Sequence, residues 1–305
     1  MNRFAKYSWG VLFFNILVIL WGAFERASGS GAGCGSHWPL CNGEVIPRAP
    51  RIETIIEFVH RTSSGLAFML VLVLLIWALR AYPKGNRIRL AASLSFLFIV
   101  TEALVGAGLV LFEWVAQDAS TGRAVSIVIH LTNTFLLLSC LALTAWLASR
   151  ASGRSVENRG VRVVLFAIGL FGMIVLGASG ALTALGDTLF PSSSLVQGIQ
   201  RDFSPTAHFL IRLRVFHPTI AIAVGAYLLV LAGIVRVQIN QPVTSRIAYL
   251  LTLGVLLQLA AGLVNLILLA PVWMQIVHLL LADMVWITLV LLTFSSLGLD
   301  YNTPL

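Results

Sequence analysis

Charged side chains are scarce in this chain. They make up 10% of its 305 residues, against 58% hydrophobic residues and a mean hydropathy of +0.93. That deficit excludes an ordinary soluble domain, which uses about 25% charged residues. Cysteine is scarce too, with three in all. Cys140 lies inside an apolar run and reads as a buried small hydrophobe. Cys34 and Cys41 remain, in a glycine-rich loop. No compact cluster of histidine and cysteine of the zinc-binding kind is present, which argues against zinc. Nor does the net charge of +8 imply nucleic acid. The basic residues stand in short clusters between apolar runs, as in the loops of membrane proteins.

Long apolar runs are abundant instead. The first, within residues 1–24, has the basic flank of a signal peptide, but it is too long for one and runs directly into Glu25 and Arg26, so an uncleaved first span is expected. Others follow at about 58–79, 90–112, 124–148, 161–185, 210–235, 247–270 and 272–297, each long enough to cross a bilayer, which takes about 20 residues. The expected fold is an all-α polytopic membrane protein with eight transmembrane helices.

Acid is nearly missing from one set of loops. The loops on the side of the termini hold 12 of the 20 basic residues, with only Glu157 and Asp300 as acids, whereas the opposite side holds eight of each sign. Both termini are therefore expected in the cytoplasm, with the Cys34–Cys41 loop on the oxidising outer face, where a disulfide persists. Such a bridge either ties down the loop or takes part in redox chemistry.

The two halves of the chain echo each other. EFVHR opens the second run and RVFHP the sixth; HLTNT lies in the fourth and HLLLAD in the eighth. Looser matches pair GAFERASGSG with GASGALTALGD, and GAGLVLFE with AAGLVNLI. Two tandem, pseudo-symmetric four-helix bundles follow, residues 1–150 and 151–305, as parallel repeats about an axis along the membrane normal.

His60, His130, His217 and His278 lie in the even-numbered runs, about six to eight residues, or roughly 10 Å, below the outer surface. A single intramembrane histidine most simply hydrogen-bonds a neighbouring helix. Four at one depth, repeating in pairs, point to a bis-histidine heme in each half, since bundles build cofactor sites from facing helices. His37 and His208 are loop residues. Arg61, Arg123, Arg212 and Arg214, at the outer mouths, are candidate anchors for heme propionates, or else snorkelling interfacial residues. Glu57 stands three residues before His60, where the second half has Arg214 before His217. It is either the proton-handling carboxylate of the first site or an interfacial partner of Arg61. This asymmetry, with the cysteine pair, assigns chemistry to the first half and electron transfer to the second. Glu102 and Asp283 are costly in hydrocarbon, so each is expected to face a bundle interior or a polar partner.

GSGAGCGSHWPLCNG followed by EFVHR, with HLTNT, FHP and HLLLAD, resembles heme A synthase from Gly22 to about Asp283. The resemblance implies a membrane oxidoreductase that converts heme O, its substrate, to heme A for cytochrome oxidase by oxidising a ring methyl group to a formyl group. It implies that His60 and His130 flank the substrate, that Glu57 is the catalytic carboxylate, and that His217 and His278 ligate the iron of a resident heme b. Some members have a second cysteine pair, whereas here DTLFPSSSLVQGIQRDF contains none. The expected setting is the plasma (inner) membrane of a prokaryote. Expected partners are membrane lipid, a heme O synthase and the cytochrome oxidase assembly apparatus, and a homo-oligomer is compatible with the sequence. The competing readings are a bis-histidine di-heme electron-transfer cytochrome without chemistry on heme, and a heme or small-molecule transporter.

Overall fold

A computed structural model describes residues 1–149, 160–239 and 241–298. Among these residues all of the extended regular structure is helical. The helices are α1 (Arg3–Ala27), α2 (Ile52–Ala81), α3 (Arg87–Leu111), α4 (Thr121–Ser149), α5 (Gly160–Leu189), α6 (Leu195–Asp202), α7 (Phe209–Arg214), α8 (Phe216–Gln238), α9 (Pro242–Ile267) and α10 (Val272–Ser296). Among the described residues eight segments are long and apolar enough to cross a membrane, α7 and α8 together making the sixth. This is a multi-pass membrane protein. The expected boundary at residues 150 and 151 lies outside the described residues.

The helices outrun the apolar runs at several ends. α2 starts at Ile52, six residues before the run, and α5 continues to Leu189. Hydropathy marks only the hydrocarbon-embedded part of a helix; the backbone keeps its internal hydrogen bonds through the polar interface. In the sixth span α7 gives way to α8 at Val215, which keeps helical backbone angles. Pro218 has no N–H to give to the carbonyl of Arg214, so the ladder is interrupted one turn above His217.

Side-chain placement is that of a protein in lipid. Large apolar residues such as Phe13, Leu66, Phe171 and Ile222 face outward, while Ser8, Asn15, Ser95, Thr144 and Asp283 are buried. α1 packs on α2 and α4, and α3 on the same two; α5 packs on α8 and α10, and α9 on those two. The first four spans touch the last four through α4 against α5 and α10, and through α1 against α10. In that seam Trp286 stacks on Phe135 at 4.7 Å and donates its indole N–H to the Phe135 carbonyl at 2.6 Å. Gly177 permits the close approach, because a Cβ there would stand 2.8 Å from the Phe135 ring.

Candidate heme sites

The loop between α1 and α2 is fastened to the start of α2. Cys34 and Cys41 form a disulfide, and both are buried. Gly33 lies so close to the first turn of α2 that a Cβ would overlap the Glu53 carbonyl group. Its own carbonyl accepts from Thr54 Oγ1 at 2.8 Å. Glu57 is 1% exposed. Its Oε2 accepts from the Cys34 N–H at 2.7 Å, and its Oε1 accepts from Arg61 Nε and Nη2 at 3.0 and 2.5 Å. Arg61 Nη1 then donates to the carbonyls of His37 and Leu40. The carboxylate and the guanidinium thus latch the disulfide loop over α2. The pairing of Glu57 with Arg61 is a fact of the geometry, and most of Arg61's donors are committed to it and to the loop.

The four span histidines share one surrounding. They stand six to nine residues into their spans, counted from Ile52, Thr121, Phe209 and Val272. Each ring lies against a glycine of the preceding span. A Cβ on Gly22 would fall 2.7 Å from His60 Cε1, on Gly180 3.0 Å from His217 Cε1, on Gly262 3.0 Å from His278 Cε1, and on Gly106 4.0 Å from His130 Cε1. His217 and His278 face each other with ring centroids 6.5 Å apart and planes at 90°. Ser179 Oγ lies 3.0 Å from His217 Nδ1, and Gln258 Nε2 lies 3.3 Å from His278 Nε2. Among the described residues, Nδ1 of His60, of His130 and of His278 is buried without a hydrogen-bond partner.

These features fit a metal-centred macrocycle between paired imidazoles. Metal–nitrogen bonds of about 2 Å on either side, plus about 1 Å from nitrogen to ring centre, place two axial imidazoles roughly 6 Å apart. The His217–His278 separation matches. A serine on Nδ1 of His217 also leaves the opposite nitrogen free to ligate, a common arrangement for metal-binding histidines.

Over residues 5–290 the sequence matches the COX15-CtaA family, described as cytochrome oxidase assembly protein. The chain belongs to this family. Among similar proteins, a "Protoheme IX farnesyltransferase" of Thermus thermophilus is 53% identical over 296 residues, which are 97% of this chain and 49% of that protein. "Heme A synthase" of Exiguobacterium sp. AT1b is 33% identical over 187 residues, 61% of this chain and 60% of that protein. A "Heme A synthase" of Halalkalibacterium halodurans is 47% identical over 97 residues, 32% of this chain and 33% of that protein. The chain spans about half the length of the Thermus relative.

Other groups at the sites of this family member differ in their freedom. Arg123 is buried and gives Nη1 to the carbonyls of Ala116 and Asp118, both at 2.7 Å. Its Nε has no partner among the described residues. Arg214 is held by Asp202 at 2.5 Å and Asp187 at 3.0 Å, while Arg212 is exposed. His208 caps α7 and stacks between Phe190 and Phe209, and His37 lies in the disulfide loop.

Three sets of contacts go beyond what the sequence suggests. Glu25 Oε2 lies 3.9 Å from His60 Nε2 and has no hydrogen-bond partner among the described residues. Glu102 Oε1 lies 3.4 Å from His130 Nδ1. Arg26 ties α1 to the second half, donating to the Ala184 carbonyl at 2.9 Å and to Thr188 and Gln275 at 3.2 Å. Asp283, by contrast, is fully buried, with neither oxygen hydrogen-bonded among the described residues.

Proposed function

We propose that this chain is a heme A synthase. Its first half, residues 1–150, holds heme O between His60 and His130, and its second half, residues 151–305, keeps a heme b between His217 and His278. A heme b held by His217 and His278 would supply reversible one-electron chemistry, the electron relay of this reading. The observation that supports this reading best is the fourfold histidine-on-glycine arrangement, combined with a polar asymmetry between the halves.

Each residue has a part in it. The glycines let the Cε1 edges of the imidazoles approach the preceding helix closely. Glu57, held by Arg61 and the Cys34 N–H, is the carboxylate that handles the protons released as the methyl group becomes a formyl group, a change that takes its oxygen atom from water and passes the electrons removed to the acceptor. The latched disulfide loop covers the mouth of this site. Arg61, Arg123, Arg212 and Arg214 are the propionate anchors we propose; the unpartnered Nε of buried Arg123 supports the second of them. In the expected orientation, both termini lie in the cytoplasm of a prokaryote and the disulfide loop faces outward across the plasma membrane.

The test is to supply the purified chain, in detergent, with heme O and a soluble electron acceptor, and to identify the extracted pigment by chromatography and mass. Heme A is the expected product; recovery of heme O alone overturns the reading. The recurrence of the same histidine and glycine pair in both halves also favours a second reading, an electron-transfer cytochrome with two resident hemes. In that case neither heme exchanges with added heme.

The glycines supply a further prediction. In Gly22→Ala the new methyl group must displace the His60 ring, since it would stand 2.7 Å from Cε1. The expected result is a loss of first-site heme affinity of about tenfold or more, the range seen when groups orienting metal ligands are removed. Heme titration followed by absorbance reads it, and unchanged affinity would show that the ring does not bind in this orientation.

A further inference from the structure

The halves differ in charge beside equivalent histidines. Glu102 stands four residues before Gly106, the glycine under His130, and Gln258 stands four residues before Gly262, the glycine under His278. Carboxylate and amide have nearly the same shape, so the two positions agree in their spacing from the glycine under the histidine and differ in charge and in the ring nitrogen they approach, Nδ1 of His130 and Nε2 of His278. Glu102 accepts two hydrogen bonds, from Asn133 Nδ2 to Oε2 at 2.5 Å and from the Thr134 hydroxyl to Oε1 at 2.5 Å, and its Oε1 lies 3.4 Å from His130 Nδ1 without a hydrogen bond to it. Thr101 holds the Asn133 side-chain oxygen at 2.6 Å, so the Asn133 NH2 is turned to the carboxylate. Both carboxylate oxygens therefore act as acceptors within the bundle. Among the described residues no such set of donors surrounds Glu25 Oε2, so the inference rests on Glu102.

We infer that Glu102 sets the reduction potential of the first-half heme below that of the second-half heme, where Gln258 takes its place. A negative charge against an axial histidine makes the ligand more basic and stabilises the more positive, oxidised iron; a neutral amide does neither. The inference rests on the proposed ligation of heme by His130 and His278. It makes Glu102 a positioning and tuning residue rather than a catalytic one.

The test uses the full chain in detergent, with its own bound heme and with iron protoporphyrin IX added to fill the first half, in a potentiometric titration followed by absorbance. The wild type is expected to titrate in two steps, of which His130→Ala removes the lower. Glu102→Gln is expected to raise the reduced-to-oxidised ratio of the lower step about tenfold at fixed ambient potential, equivalent to about 59 mV for a one-electron couple. Gln258→Glu is expected to lower that of the upper step, and it serves where Glu102→Gln fails to fold. If both variants bind heme and neither step moves, the tuning role is wrong. If His130→Ala keeps the lower step, the ligation on which the inference rests is wrong instead, and the inference falls with it.

Discussion

Glu57→Ala is expected to abolish formation of heme A while leaving the absorption spectrum of the second-half heme in place. Loss of a proton-handling carboxylate costs about 10²–10⁴-fold in rate. The geometry makes this variant ambiguous by itself, because Glu57 also holds Arg61 and the Cys34 N–H. Removing one member of a buried ion pair costs about 3–5 kcal/mol, so the loop above the site would loosen in the same variant. Glu57→Gln separates the two roles. Its amide oxygen still accepts a hydrogen bond, so much of the latch survives, but it takes up no proton at neutral pH. The expected outcome is an inactive Glu57→Gln chain with a folded, protease-resistant outer loop. A Glu57→Gln chain working at the normal rate would make Glu57 a loop latch and nothing more.

His217→Ala and His278→Ala are each expected to remove the stable heme b signal. The two rings face each other at 6.5 Å, so under the proposed ligation one ring alone would hold the heme from a single side. His60→Ala and His130→Ala are expected to keep that signal and lose product. Absorption spectra of the reduced proteins, with the extracted heme quantified, check both. Retention of heme b in His217→Ala would remove this histidine from the ligand set.

Much of this architecture was legible in the sequence because hydropathy reports directly on what lipid requires. All eight spans were read from apolar runs, and their ends erred where α2 and α5 carry the helix into polar interface. The histidine quartet was legible because it repeats, and the pairing of Glu57 with Arg61 because four residues make one helical turn. The contacts that individualise the sites were not. Glu102 meets His130 from another helix, 28 positions away, and a carboxylate in an apolar run shows only that it needs a partner. Gly22, Gly106, Gly180 and Gly262 fall within the segments that recur between the halves, but their place under the histidines is not legible there, because glycine is common in transmembrane helices and its neighbour is supplied by packing.

A division of labour, in which one half of the chain transforms its heme while the other keeps it, underlies all of these expectations. Heme O labelled with carbon-13 should be supplied to the purified chain with an electron acceptor, and all heme then extracted and weighed by mass spectrometry. Labelled heme A and unlabelled heme b are expected from the same sample. Label recovered only as heme O, or unlabelled heme b displaced by label, would refute the division.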